Sequence, residues 1–342
     1  MPPWQRAGYQ SATSSLASVV HYWSMSELQG GVECQARDIA LLRDLFVSRI
    51  MTLVHITALH FEGRGEAAKK RVQKLKAAGL IAERPRKARD PSILFLARRG
   101  FDLLNQGGHL SEYPRLSVTA FERRARVSDL TLRHELEVMD AKAAIASEVG
   151  RVSNLEIVEF STWPLLLEFD VHDRAGSRVR VKPDGFLRVE QRESDGVVYE
   201  HTFFLEVDRG TETLDTLCRR SHCYREHYAT GGYAASLGAS RGSFTEFPFR
   251  VLIVLPSVAR LNNLLEALLS LTPPIETQVW ATTSADLNTD PLGAIWIRPR
   301  DFRDAFAGPW PAGHFDDSTL RRRVGRNRQT HAAVVRHSLF AD

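Results

Sequence analysis

Between Ala36 and Leu96, three stretches of helical period are followed by two short apolar runs, and that order restricts what this 342-residue chain can fold into more than any other feature. Ile39, Leu42, Leu45 and Phe46 recur at helical spacing, and the pattern ends near Ile50. Thr52 is placed to cap a short second helix bearing Leu53, Ile56 and Leu59, after which Gly63 and Gly65 supply a turn. A third helix is expected from about Glu66 to Ala78, with Ala68, Val72 and Leu75 inward and Gly79 as its stop. Leu80-Ile81 and Ile93-Leu94-Phe95-Leu96 read as two strands around a turn containing Pro85 and Asp90-Pro91. Helix, helix, helix and two-stranded ribbon is the order of a winged helix-turn-helix, here spanning residues 36–106.

Charge sharpens that expectation. From Arg37 to Asp102 there are 15 Lys plus Arg against 7 Asp plus Glu, a surplus of 15 − 7 = +8 in a chain whose net charge is +4, so the remainder is acidic at 4 − 8 = −4. A basic module joined to an acidic body implies a part that holds a polyanion. Lys69, Lys70, Arg71 and Lys74 lie off the apolar stripe of the third helix, and Arg84, Arg86, Lys87 and Arg89 fall in the wing. The partner these residues predict is double-stranded DNA, with the helix in the major groove and the wing on flanking phosphates. Gln73 is the one amide on that helix able to pair bidentately with adenine.

Residues 1–35, rich in Ser, Gln and Gly, are expected to form a flexible arm, and 107–127 a linker. A second domain is expected over 128–310, followed by a basic tail over 311–342 that carries Arg321, Arg322, Arg323, Arg326 and Arg328. Its pattern opens with a long helix at 128–149 and continues with two or three strands between 154 and 207. A helix from Glu212 to Tyr228, a strand at 249–255, a helix from Val258 to Leu271 and a strand near 278–281 complete it. That mixture predicts an α/β domain with a mixed central sheet, α+β for the chain as a whole.

The second domain also gathers acids. Val181-Lys182-Pro183-Asp184 reads as the end of one strand and Phe203-Phe204-Leu205-Glu206-Val207-Asp208 as the end of another. Alternation puts Glu206 and Asp208 on one face, where Asp184 from a neighbouring strand completes a carboxylate cluster. Oxygen ligands of this kind suit Mg²⁺ or Mn²⁺, and Glu135 on the preceding helix is a further candidate ligand. The alternative is a surface strand end whose acids pair with Arg209, Arg219 or Arg220.

These residues, in this element order, resemble the PD-(D/E)xK nuclease-like superfamily, whose core implies a restriction-endonuclease-like fold. More closely, the arrangement resembles the replication-relaxation family of plasmid and mobile-element proteins. The resemblance is carried by the winged helix, Leu132-Arg133-His134-Glu135-Leu136, Lys182-Pro183-Asp184-Gly185, Leu205-Glu206-Val207-Asp208-Arg209-Gly210-Thr211, and Arg220 followed by Tyr224. It implies a metal-dependent site on Asp184, Glu206 and Asp208 that cleaves or nicks DNA. One departure bears on that implication: Asp208 stands where active superfamily nucleases carry lysine, and a carboxylate cannot stabilise the charge that lysine stabilises. Arg220 on the next helix, sharing a face with Tyr224 and Tyr228, is the candidate substitute cation.

Two functions are compatible with these residues. One is a DNA-binding replication or relaxation protein with a metal-dependent endodeoxyribonuclease. The other is a non-catalytic regulator with a degenerate nuclease domain. A replication, relaxase or nuclease partner protein and a homodimer are both compatible with either. Three cysteines cannot make a disulfide framework, and no apolar run approaches the ~18 residues of a membrane span, so a cytoplasmic protein without membrane contact is expected.

Overall fold

The structure, a computed structural model, describes residues 33–86, 90–163, 167–172, 176–306 and 334–340. The expected arm up to residue 32, the wing residues Lys87 and Arg89, and the arginines of the tail lie outside the described residues. Contacts divide the chain into two units. Of the described residues, those from 33 to 147 with 161–163 form the first, and 148–160 with those from 167 onward form the second.

In the first unit, α1 (Ala36–Ser48), β1 (Met51–Thr52), α2 (Leu53–Phe61), α3 (Gly65–Ala77), β2 (Ile81–Glu83) and β3 (Ile93–Leu96) follow one another. The strands make an antiparallel sheet in the order β1-β3-β2, with Met51 opposite Leu94 and Ile81 opposite Leu96. This arrangement is consistent with a winged helix. β1 was not anticipated, because two residues show no periodicity. The predicted punctuation is present: Thr52 Oγ1 accepts from the His55 amide at 3.3 Å while the His55 ring returns to the Thr52 amide. Gly79 takes φ +71°, and Leu80 N donates to Leu75 O, closing the end of α3.

α4 (Arg98–Gln106), α5 (Val118–Ala125) and α6 (Asp129–Val149) follow, so the stretch read as a linker contains a helix. α6 residues through 147 group with the first unit, and Leu132 and Leu136 pack on the Ile50, Ile93, Val127 cluster. The Arg124 guanidinium donates to Phe46 O and Val47 O at the end of α1 and stands 4.1 Å over the buried Trp163 ring. A cation on the last carbonyls of a helix complements its dipole.

The second unit is an α/β layer structure. Its five-stranded mixed sheet runs β10-β9-β8-β7-β4, from β4 (Leu155–Ser161), β7 (Gly185–Arg192), β8 (Val198–Val207), β9 (Arg250–Leu255) and β10 (Val279–Thr283). β7 and β8 form an antiparallel hairpin, whereas β8, β9 and β10 are parallel. Parallel neighbours require crossovers, supplied by α7 (Leu214–Ala229) and α9 (Val258–Leu269). Between them lies the short α8 (Gly232–Ser236). A separate two-stranded ribbon pairs β5 (Phe169–His172) with β6 (Arg178–Val181). Phe204, Val251, Ile253 and Leu255 from the strands share a core with Leu217 and Tyr224 of α7 and with Leu261, Leu264, Leu265 and Leu268 of α9. Trp280 and Trp296 are buried packing residues.

Candidate functional site

The predicted site residues fall in two groups, one on α3 and one at the sheet end.

On α3 the buried positions are Ala68, Val72 and Leu75, as the periodicity requires. The opposite stripe, Glu66, Lys69, Lys70, Gln73, Lys74 and Ala77, is exposed. Arg71 does not belong to it. Its Nε donates to Asp38 Oδ1 at 2.8 Å and its Nη2 to both Asp38 Oδ2 and Glu33 O, and the Asp38 side chain is 0% exposed. The expected DNA contact is therefore a buried ion pair joining α3 to α1. Leaving such a carboxylate without its partner costs ~3–5 kcal/mol. Arg71→Ala should accordingly lower the melting temperature of the first unit, a loss that calorimetry without DNA reads directly.

The wing arginines are also engaged. Arg84 reaches Val127 O and Asp129 Oδ1, and Arg86 bonds Glu83 Oε1 at 2.9 Å and Asp90 O at 2.9 Å. Glu83 also takes Lys76, and these hydrogen bonds hold its carboxyl down at about 2.

The second group lies at the carboxyl ends of the parallel strands. Asp184 immediately precedes β7 rather than closing the strand before it, and antiparallel pairing of Gly185 with Leu205 brings it beside the end of β8. There its Oδ2 accepts from the Val207 amide at 2.8 Å. Glu206 and Asp208 both face the helices, as alternation predicted.

Each meets a guanidinium. Arg220 Nη1 donates to Glu206 Oε2 at 2.7 Å, and the Tyr224 hydroxyl to Oε1 at 2.5 Å. Arg260, in the first turn of α9, grips Asp208 through Nε at 2.5 Å and Nη2 at 3.2 Å. Asp208 Oδ1 also accepts from Gly210 N at 3.0 Å. Glu212 links the two halves: its carboxylate takes Arg220 Nη2 at 3.0 Å, and its backbone oxygen takes Arg260 Nη2 at 2.6 Å. Arg220 and Tyr224 thus share a target, as their spacing implied, whereas Tyr228 packs on Phe244 and Phe249. Arg260 and Glu212 were missed, since neither carries a motif and Arg260 lies 52 residues beyond its carboxylate partner.

Burial pushes the Glu206 carboxyl up to about 8 from its ordinary 4.5, with the Asp184 charge adding to the effect against the pull of Arg220 and Tyr224. The Glu206 charge in turn raises Arg220, and burial holds the Tyr224 phenol well above its usual range. Because folding favours the protonated form of Glu206 relative to the unfolded chain, this group's contribution to stability falls as pH rises above the ordinary 4.5. Melting curves should show this decline, and Glu206→Gln should flatten it.

The residues as they stand do not fit a divalent ion. Glu206 and Asp208, two of the expected ligands, have their oxygens covered by guanidinium, hydroxyl and amide donors. Two unit cations 4 Å apart repel by ~4 kcal/mol at an effective dielectric of ~20, and a divalent ion doubles that. Glu135 belongs to the first unit, where Arg49 Nη1 holds it at 2.6 Å. No group of three or more His, Cys, Asp or Glu among the described residues is placed to hold a metal ion.

A helical module with a three-stranded antiparallel sheet, followed in sequence by a mixed-sheet α/β unit with acids at its strand ends, defines a two-part α/β protein. The chain belongs to the replication-relaxation family, whose model matches residues 42–239, more than half of its length. No curated protein and no solved structure matches it. No helix among the described residues is long and apolar enough to cross a membrane.

Proposed function

We propose that the chain is a DNA-binding protein of plasmid or mobile-element replication that holds duplex DNA through α3. One observation carries this reading. Lys69, Lys70 and Lys74 surround Gln73 on an exposed stripe and make no ion pair among the described residues, whereas Arg71, Lys76, Arg84 and Arg86 are taken up by internal acids. Ammonium groups spaced along one helix face suit phosphates on either side of a groove, and Gln73 between them suits an adenine edge. Family membership supports the same reading.

Anisotropy of a labelled duplex at rising salt tests it: binding at low salt should weaken linearly on a log–log scale. Absence of binding at low salt would overturn the reading. A nuclease role for the second unit rests on resemblance, and no cleavage step follows from its side chains as arranged. Supercoiled plasmid incubated with Mg²⁺ or Mn²⁺ is expected to remain intact; nicking that disappears in Glu206→Ala would reverse this.

A further inference from the structure

Independently of the DNA reading, the acids at the sheet end are met by two guanidinium groups. Arg220 touches Glu206 and Glu212 directly, and the Asp184 charge acts on it as well. Its guanidinium is therefore the cation shared by two acids, Glu206 at the end of β8 and Glu212 in the loop before α7. Arg260 does the same for Asp208, whose side chain is 0% exposed.

Both arginines come from the crossover helices that follow β8 and β9, and both sit where the strand ends gather negative charge. A guanidinium cannot be deprotonated or lost to a chelator. Being covalently part of the chain, it reaches its carboxylates at an effective concentration that no dissolved ion matches.

We propose that Arg220, seconded by Arg260, is the built-in cation of this acidic cluster, and that the protein is consequently independent of divalent metal at the position where resemblance implies a metal site. The acids then serve to fasten α7 and α9 to the strand ends. Arg220 is a positioning residue in this account, and the cluster becomes responsive to a dissolved cation only when its guanidinium is taken away. Glu206 and Glu212 are the acids such an ion would meet.

The full chain, as wild type, Arg220→Ala and Arg220→Gln, is titrated with Mn²⁺ alone, following the free-ion paramagnetic signal and the melting temperature. Wild type should bind no Mn²⁺ at submillimolar concentration and should melt identically with Mn²⁺ or with chelator. At least one Arg220 variant should melt lower than wild type and recover part of the loss on adding Mn²⁺, with roughly tenfold or greater gain in Mn²⁺ affinity. Adding Glu206→Gln to that variant should abolish the recovery. Submillimolar Mn²⁺ binding by wild type that disappears in Glu206→Gln would overturn the proposal. So would failure of Mn²⁺ to bind to or raise the melting of both Arg220 variants, whether they fold or not.

Discussion

Replacing Lys69, Lys70 and Lys74 together by alanine is expected to reduce duplex affinity at low salt by about a hundredfold or more. It should also flatten the salt dependence by ~2.7 log units per log unit of salt, at ~0.9 for each phosphate contact removed. The three side chains are exposed and unpaired among the described residues, so the melting temperature should stay within experimental scatter. Loss of binding without loss of stability separates this triple variant from Arg71→Ala, whose first effect falls on the fold through Asp38. Gln73→Ala should leave the salt slope unchanged and relax preference among sequences, because an amide reads a base edge and carries no charge. An unaltered affinity in the triple variant would remove α3 from the DNA interface.

Arg260→Ala is expected to be the most destabilising single change at the sheet end. It strips two hydrogen bonds from a carboxylate with no exposed surface and one from the Glu212 carbonyl. Breaking a buried pair by removing one partner costs ~3–5 kcal/mol, which in a unit of this size lowers the melting temperature by roughly 10 °C. Removing both charges, as Asp208→Asn with Arg260→Met, should recover much of the loss, since the penalty comes from the abandoned carboxylate. Calorimetry of the three proteins checks this. A single variant as stable as wild type would show that Asp208 is not held as a buried ion.

The buried pair also explains why the position two residues after Glu206 tolerates an acid. In the sequence, Asp208 reads only as the absence of a lysine. In the structure it is a ligand for a cation that arrives from α9, beyond a whole crossover. Positive charge at this end of the sheet is carried by Arg220 and Arg260, where it is bonded to acids.

Local signals carried much of the fold. The Thr52 cap, the Gly79 stop and the Ala68, Val72, Leu75 stripe each rest on near neighbours, so they are visible in a short window and are found as expected. The shared face of Glu206 and Asp208 follows from a period of two, but that stretch holds five strands where two or three are expected, because 202–207 is buried on both faces and shows no alternation. β1 escaped because two residues have no period. α5, inside the stretch read as a linker, is a single helix of 8 residues that buries only Phe121.

The sequence by itself determined which faces are apolar, where helices start and stop, and which residues carry charge, because these depend on spacings of a few residues. Only the tertiary structure decided which of those charges remain outside. Arg71 and Arg84 look like the lysines beside them until Asp38 and Asp129 are brought against them, from 33 and 45 residues away. Likewise, the acids at the sheet end resemble a metal site until α7 and α9 fold back and place their arginines on them. Charge is a property of the residue, but its availability depends on what the chain packs beside it, and burial makes that pairing hard to forgo.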